Sequence, residues 1–205
     1  MSESGSDLLI RLVDDDDMLR ASLEFLLRAE GWDVKGYASA ELFLREDAPS
    51  VPGCIVLDVR MERMSGIELQ QELVRRGNLL PIVFLTGHGD MQMAVEAMKR
   101  GAVDFVAKPI DPEAFVAAIR AALRKTRLKN AGIPERSEAV ARYALVTDRE
   151  KETLRLLARG LLNREVASRL AISERTVEGH RASAFKKLGI RTVSDLVLFL
   201  DQLPQ

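Results

Sequence analysis

The chain of 205 residues contains a single cysteine, Cys54, so it cannot form an internal disulfide bond. One unpaired thiol is typical of proteins in a reducing cytoplasm, which is the compartment we expect. No stretch approaches the roughly 20 consecutive apolar residues that a membrane-spanning helix needs. The first seven residues, MSESGSD, also lack the basic and apolar regions of a secretory signal peptide.

The chain also lacks a strong net charge, since 30 Lys/Arg and 31 Asp/Glu give a formal value of −1. This balance hides an asymmetry: residues 142–205 carry 12 basic and 8 acidic side chains, while the residues before them carry 18 and 23. A charged fraction of 30% and a hydrophobic fraction of 47% exclude a disordered chain. The asymmetry indicates two domains with different partners, the second of which we expect to be nucleic acid.

The first 125 residues contain an alternation of strand-like and helix-like patterns. Short apolar runs, typical of buried strands, occupy residues 8–13, 33–37, 54–59, 81–86 and 103–107. Helical patterns with recognisable ends lie at residues 18–29, 67–76, 90–100 and from Asp111 and Pro112 onward. The alternation predicts an α/β doubly wound fold with a five-stranded parallel sheet, in which ligands bind at the carboxyl ends of the strands.

The rest of the chain contains helix signals and no strand signal. Residues 126–142 are basic at first and are then interrupted by glycine and proline, so we predict a helical and flexible linker there. Short helices follow the linker. Thr147 and Glu150 have the spacing of a capping box, and we expect Asn163 and Ser173 to cap the next two helices.

Four consecutive aspartates, Asp14 to Asp17, follow the first predicted strand, and Asp58 belongs to the third. Because the carboxyl ends of parallel strands meet at one edge of a sheet, we expect Asp14, Asp15 and Asp58 to converge there. Two such charges 4 Å apart repel by about 1 kcal/mol in water and by more inside a protein. Mg²⁺, which binds carboxylate and water oxygens, would relieve that repulsion. Asp16 and Asp17 instead open a helix, where negative charge suits the N-terminal dipole.

Two further side chains lie at strand ends on the same predicted edge: Thr86 ends the fourth strand, and Lys108 follows the fifth. Taken singly, each is an ordinary strand-end or surface residue. A hydroxyl and an ammonium beside a metal–carboxylate cluster can, however, bind the oxygens of a phosphoryl group. Together they predict a phosphoryl site with Asp58 as the nucleophile, because a carboxylate can be phosphorylated.

The segments VDDDDM, VLDVRMERMSGIEL, PIVFLTGHGD and GAVDFVAKPID resemble the receiver domain of two-component response regulators. The resemblance implies a flavodoxin-like receiver domain at residues 1–125, in which Asp58 accepts a phosphoryl group from a sensor histidine kinase. It also implies that Asp15 and Asp58 bind Mg²⁺ directly. Asp14 would act through water, and the backbone carbonyl of Arg60 would be a third ligand.

The same resemblance implies that Thr86 and Lys108 bind the phosphoryl oxygens, with a cis peptide bond before Pro109. Phe105 takes the position of the switch aromatic, which moves with Thr86 on phosphorylation. One departure from the family is visible, because Glu62 stands where these domains usually have proline. A stiff turn residue is lost and a carboxylate is added close to the metal loop, while we expect the phosphoryl chemistry to be retained.

An enzymatic interpretation competes with this one. Asp15 and Asp17 match the D-x-D motif of haloacid-dehalogenase phosphatases, which also use a threonine and a lysine. In those enzymes the first-strand aspartate is the nucleophile, which leaves Asp58 without a role, and the sequence offers no cap domain. In the receiver interpretation the protein is not an enzyme, apart from catalysing its own phosphorylation and dephosphorylation.

The segment from residue 145 to residue 199 resembles the LuxR-type helix-turn-helix of NarL- and FixJ-type regulators. The resemblance rests on TDRE, NREVASRLAIS, RTVEGH and KKLGI, and it implies a DNA-binding domain at residues 143–205. A small helical bundle that makes only protein contacts fits the periodicity equally well. The basic balance and the receiver-like segment before it favour DNA binding.

We expect recognition from the helix over residues 174–188. At about 100° per residue, Val177, Ala184 and Leu188 share the inward face, and Arg181 would pack its stem there with its head in solvent. The side chains expected to contact DNA lie on the opposite face and at the start of the preceding helix: Asn163, Arg164, Arg175, Thr176, Glu178, Gly179, Ala182, Ser183 and Lys186. Arginine and lysine there suit phosphates, and the glutamate suits a cytosine amino group.

These patterns predict a DNA-binding transcription regulator that a histidine kinase switches by phosphorylating Asp58. We expect the face formed by residues 90–100 and the last strand to rearrange, and a homodimer to form, which paired DNA half-sites would favour. RNA polymerase is a further candidate partner. The main non-enzymatic alternative is a constitutive DNA-binding protein whose receiver serves only for dimerisation.

Overall fold

The structure, a computed structural model, describes residues 8–87, 98 and 101–204. The chain divides between Thr126 and Arg127 into two compact units. The first contains a parallel sheet with flanking helices, and the second contains helices alone among its described residues. Within the described ranges, no helix combines the length and apolar character that crossing a membrane requires.

The sheet of the first unit has five parallel strands in the order β2-β1-β3-β4-β5. The strands are β1 Leu9–Val13, β2 Asp33–Tyr37, β3 Gly53–Asp58, β4 Ile82–Thr86 and β5 Asp104–Ala107. Strand β1 lies between β2 and β3, so the strand order reverses there, and ligands of such sheets bind at this switch point. The predicted doubly wound α/β fold is confirmed.

Four of the described helices begin in the first unit: α1 Asp17–Ala29, α2 Ala40–Glu46, α3 Gly66–Arg75 and α4 Pro112–Asn130, the last of which ends in the second unit. Helix α2 was not among the patterns recognised in the sequence. It is capped by the Ser39 hydroxyl, which accepts a hydrogen bond from the Leu42 N–H at 3.2 Å. The helix predicted over residues 90–100 lies outside the described residues, except for Met98, which is helical.

The two faces of the sheet bury separate apolar layers, because successive side chains of a strand point to opposite faces. One layer joins strand residues to α1 and α4: Cys54, Val56, Val83, Leu27 and Phe115. The other joins strand residues to α2 and α3: Ile55, Leu57, Phe84, Phe43 and Leu69. Cys54 is fully buried, as a small core residue would be.

A charged side chain also lies inside the first unit. Arg11 of β1 is fully buried, and its Nε lies 2.8 Å from both carboxylate oxygens of Asp47. The guanidinium also donates to the carbonyls of Ala48 and Val51, at 2.9 and 2.7 Å. Tyr37 donates its hydroxyl to Asp47 at 2.7 Å. This network attaches the segment after α2 to the sheet.

After the end of α4, the described residues of the second unit form five helices: α5 Arg136–Ala144, α6 Asp148–Ala158, α7 Asn163–Leu170, α8 Glu174–Leu188 and α9 Val193–Leu200. Their apolar faces share one core, which includes Ala139, Leu154, Val166 and Leu196. The segment 126–142, predicted as a linker, contains the end of α4 and most of α5. Since Ala139 of α5 is fully buried in this core, the second half of that segment packs as part of the second unit.

The helix starts in the second unit agree with the sequence in two cases and differ in one. The Thr147 hydroxyl accepts from the Glu150 N–H at 3.4 Å, and the Glu150 carboxylate accepts from the Thr147 N–H at 2.8 Å, which completes the predicted capping box. Ser173 caps α8. The expectation for Asn163 was wrong, because extended Leu162 is the N-cap of α7 and Asn163 is its first helical residue.

Candidate functional site

Three carboxylates converge at the carboxyl edge of the sheet, as the sequence predicted. Asp14 follows β1 and Asp58 ends β3, and these two strands are neighbours in the sheet. With Asp15 they place ligand oxygens within 4.8 Å of one another. Asp14 is fully buried and Asp58 is 6% exposed, whereas Asp15 is exposed. The cluster therefore has a buried floor and one ligand open to solvent.

Lys108 joins the cluster from the segment after β5. Its Nζ lies 3.0 Å from Asp58 Oδ2 and 3.2 Å from Asp14 Oδ2. The Lys108 N–H donates to the carbonyl of Thr86 at 2.7 Å, and the peptide bond to Pro109 is cis, as the resemblance implied. The lysine thus offsets part of the repulsion between two buried carboxylates.

The pKa values of these groups reflect burial and mutual attraction. Burial raises the pKa of Asp58 and the charge of Asp14 raises it further, although hydrogen bonds from Lys108 and the Arg60 N–H act in the opposite direction. Burial alone would lower the pKa of Lys108, but its hydrogen bonds to Asp58 and the charges of Asp58 and Asp14 outweigh burial and raise it. Lys108 therefore remains a cation at neutral pH.

The two remaining aspartates of the run belong to helix α1, as predicted. Asp16 is the N-cap, and its carboxylate accepts from the N–H groups of Met18 and Leu19, each at 3.0 Å. Asp17 is the first helical residue and pairs with Arg20 on the same helix. The four aspartates therefore divide into two ligand-type residues and two helix-starting residues.

The loop from β3 to α3 reaches back over the cluster. The Glu62 N–H donates to Asp15 Oδ2 at 2.8 Å, across 47 positions of sequence. Arg63 in this loop is left-handed, with φ +63°, which is uncommon for a residue with a side chain. The loop ends where Gly66 begins α3, with its N–H donating to the Val59 carbonyl at 3.1 Å. This contact of the Glu62 main chain was not predicted from the sequence.

Two other residues predicted for this site, Thr86 and Phe105, lie on β4 and β5. Thr86, at the end of β4, is buried with 5% exposure and is paired in register with Ala107. Phe105 is half-buried, lies opposite Phe84 and packs against the core layer that contains it. The predicted roles of Thr86, Phe105 and the Arg60 carbonyl stay predictions.

The donor set fits a hard divalent cation. Three carboxylates offer the oxygen ligands that Mg²⁺ prefers, and Lys108 supplies one positive charge against their three negative charges. A +2 ion at the cluster would balance the remaining charge. Because Asp15 is exposed, such an ion could keep several of its waters.

The second candidate site is the outer face of helix α8. As predicted, Val177, Ala184 and Leu188 are fully buried, and the Arg181 guanidinium lies 5.1 Å from the Phe185 ring centroid. Phe185 is also buried, which the helical wheel did not identify. Eight of the nine predicted DNA contacts are exposed, and Asn163 is half-buried; the exposed ones are Arg164, Arg175, Thr176, Glu178, Gly179, Ala182, Ser183 and Lys186.

An ion pair with a buried carboxylate, which was not predicted from the sequence, orients this face. Lys187 Nζ lies 2.6 and 2.9 Å from the two carboxylate oxygens of Glu150, which is only 4% exposed. The hydroxyl of Ser183 and the N–H of Thr147 donate to the same carboxylate. Burial raises the pKa of Glu150, but the hydrogen bonds from Lys187, Ser183 and Thr147 outweigh it and lower the pKa to about 2. The capping-box spacing indicated only the local role of Glu150.

Comparison with known families identifies both units. The response regulator receiver domain matches residues 10–120, and the family of bacterial regulatory proteins described as the luxR family matches residues 144–200. A parallel sheet with this cluster of acids and lysine, followed by a helix-turn-helix domain, defines a DNA-binding response regulator. The chain belongs to that family, which favours the receiver interpretation over the phosphatase one.

The relatives of the chain include proteins named as response regulators and proteins named as transcriptional regulatory proteins. The response regulator TodT of Pseudomonas putida is 40% identical over 99% of this chain and 88% of its own length. FixJ of Azorhizobium caulinodans is 44% identical over 93% of this chain and 90% of its own length. Among solved structures, response regulator StyR covers 96% of this chain and 100% of its own at 38% identity, with a TM-score of 0.59. Full-length FixJ from B. japonicum covers 97% of this chain and 98% of its own at 35% identity, also with a TM-score of 0.59.

Proposed function

We propose that this response regulator is switched by transfer of a phosphoryl group from a sensor histidine kinase to Asp58. The observation that carries the proposal is the contact of one ammonium, Lys108 Nζ, with both Asp58 and Asp14, at 3.0 and 3.2 Å. A cation at that point lies beside the nucleophile and beside the position that a transferred phosphoryl group would occupy. Asp15 completes the carboxylate set there.

In the transfer, a carboxylate oxygen of Asp58 attacks the phosphorus of a phosphohistidine. The P–N bond breaks, and the leaving imidazole keeps the electron pair and takes up a proton. Lys108 then donates to an oxygen of the bound group, and the Thr86 hydroxyl donates to another. Asp15, Asp58 and the Arg60 carbonyl would hold Mg²⁺, with Asp14 acting through water, and the ion would supply positive charge to the phosphoryl oxygens.

The same groups support the return step, in which water attacks the phosphorus and releases phosphate from Asp58. These two reactions on its own aspartate are the only catalysis that we propose. Thr86 and Phe105 lie on neighbouring strands. When Thr86 moves towards the phosphoryl group, the Phe105 side chain can therefore move with it at the β4–β5 edge. We propose that this change promotes a homodimer.

The output of the switch is binding to double-stranded DNA with paired half-sites. Helix α8 supplies the base-reading face, and exposed Arg175 and Lys186 suit phosphates. The remaining proposed contacts are Asn163, Arg164, Thr176, Glu178, Gly179, Ala182 and Ser183. The proposed division is a receiver domain at 1–125, a linker at 126–142 whose second half is helical and packs against the following helices, and a DNA-binding domain at 143–205. Because the ligand is chromosomal DNA, we propose a cytoplasmic location, with RNA polymerase as a further partner.

The test is to incubate the full chain with acetyl phosphate and Mg²⁺ and to locate the modified residue. Borohydride reduction of the acyl phosphate followed by peptide mapping should place the label on Asp58, and Asp58→Asn should abolish incorporation. Label on Asp15 instead would contradict the proposal and support a phosphatase-like nucleophile. Gel filtration of the labelled protein should show a doubled mass, and an unchanged mass would count against phosphorylation-dependent dimerisation.

A further inference from the structure

We propose that the backbone N–H of Glu62 positions the Asp15 carboxylate for the metal ion. Glu62 is then a positioning residue of the metal site through its main chain, and its side chain has no part in the effect. The inference rests on the proposed function, since it assumes a divalent cation at Asp14, Asp15 and Asp58.

The three carboxylates differ in how they are held. Asp14 is fully buried, accepts from the Asp16 N–H at 2.9 Å and contacts Lys108. Asp58 is nearly buried and is held by Lys108 and the Arg60 N–H. Asp15 is exposed, and in the described part of the chain its hydrogen bond comes from Glu62, at 2.8 Å. Without that bond, no described contact would restrict the rotamer of Asp15.

The loop that carries Glu62 is anchored at both ends, so its N–H can be a fixed donor. At the start, the Val59 N–H donates to the Leu85 carbonyl of β4 at 3.0 Å. At the end, Ser65 caps α3, and the Glu68 carboxylate accepts from the Ser65 N–H at 2.9 Å in a complete capping box. Arg63 keeps a left-handed conformation between these anchors. The surrounding contacts therefore determine the backbone path of the loop.

The bond leaves Asp15 able to bind a cation. An ionised carboxylate has about four acceptor sites on two oxygens. Glu62 uses Oδ2, and Oδ1 remains for the metal. Hydrogen bonds that orient a metal ligand in this way typically change metal affinity by about 10- to 100-fold when they are removed.

Proline is the substitution that separates main chain from side chain, since it has no N–H. Glu62→Pro removes both the donor and the carboxylate, whereas Glu62→Ala removes only the carboxylate. Titration calorimetry of each full-length variant with Mg²⁺ should show Glu62→Ala within about twofold of the wild type, since the side chain is exposed. Glu62→Pro should bind Mg²⁺ about 10-fold more weakly than Glu62→Ala.

Equal affinities of Glu62→Pro and Glu62→Ala would overturn the inference. Asp15→Ala tests the underlying site: if it binds Mg²⁺ as well as the wild type, the proposed metal site itself is wrong.

A second measurement does not depend on the folding of the proline variant. The amide proton of Glu62 in an NMR spectrum of the metal-free protein should be shifted downfield, and Asp15→Ala should remove the shift. An amide shift that is the same in both proteins would also overturn the inference.

Discussion

At the scale of single residues, Gly66 determines how closely helix α3 approaches the strand that ends in Asp58. A Cβ added at Gly66 would collide with the Asp58 carbonyl oxygen and would lie 3.0 Å from Leu57 Cγ. The colliding atom is main chain, which cannot move aside as the end of a flexible side chain can. Because residue 66 has no side chain, the start of α3 can lie against Asp58, and the loop before it can reach over the carboxylate cluster.

We expect Gly66→Ala to lower the free energy of unfolding by about 1–3 kcal/mol, as overpacking in a close-packed region does. It should also slow phosphorylation by acetyl phosphate, because the Asp58 backbone must shift. Urea denaturation gives the first quantity and intact-mass kinetics the second. Gly179→Ala is the matched helical control, since nothing lies within 4 Å of its added Cβ. It should stabilise by about 0.5–1 kcal/mol, and a similar gain at Gly66 would refute the steric argument.

At the scale of elements, the ion pair of Glu150 and Lys187 joins the first turn of α6 to the last turn of α8. The Glu150 carboxylate also completes the capping box at the start of α6. One buried side chain therefore fixes the start of one helix and the orientation of the proposed recognition helix. Breaking a buried pair from one side leaves an uncompensated charge, and here the cost is moderated because the Lys187 side chain is 30% exposed.

We expect Glu150→Gln to destabilise the protein by about 2–3 kcal/mol at pH 7. Because the pKa of folded Glu150 is lowered to about 2 from its usual 4.5, its contribution is complete above about pH 4.5 and is lost as the pH falls towards 2. Guanidinium unfolding at several pH values should show this acid-dependent loss in the wild type and less of it in the variant.

The control for that experiment is Glu152→Gln on the same helix. Its pair with Arg149, at 2.8 Å, is exposed on both sides, so the substitution should change stability by less than about 0.5 kcal/mol. Equal losses at the two positions would show that burial of Glu150 is not what gives its ion pair its strength.

At the scale of the whole molecule, the acidic receiver unit and the basic helical unit have different ligands. The first unit carries the proposed phosphorylation chemistry, and the second carries a face with exposed Arg175 and Lys186. Phosphate contacts add affinity that depends on salt and not on base sequence. In the proposed function, that general attraction adds to a few base contacts and to a second half-site that phosphorylation controls.

We expect Arg175→Ala to weaken binding of the acetyl phosphate-treated chain to all DNA sequences by a similar factor. The slope of log affinity against log salt should fall by about 1, because one phosphate contact is lost. Fluorescence anisotropy on specific and scrambled duplexes at several salt concentrations measures both. A loss confined to a single base position would assign Arg175 to base reading instead. Asp58→Asn serves as the unphosphorylated control.

Much of the architecture could be predicted from sequence because its signals are local. Buried parallel strands have nearly continuous apolar runs, and helix starts have capping residues such as Ser173 and Thr147. Helix α2 was missed because seven residues give a short periodic pattern, although Ser39 supplies a cap. The cap of α7 was assigned one residue late, to Asn163, because the Glu165 carboxylate supplies the acceptor for the Leu162 N–H.

The sequence by itself determined which chemical groups this protein carries: carboxylates at strand ends, a threonine, a lysine and a basic helical segment. The strand order places the first three at one edge of the sheet, and the helical period places the basic side chains on one helix face. Only the tertiary structure decided the partners of individual charges. Arg11 reaches Asp47, Lys187 reaches Glu150, and a loop N–H reaches Asp15. Such pairs join residues 36 to 47 positions apart. No local pattern specifies them, because they form only when packing brings separate elements together and removes the competing water.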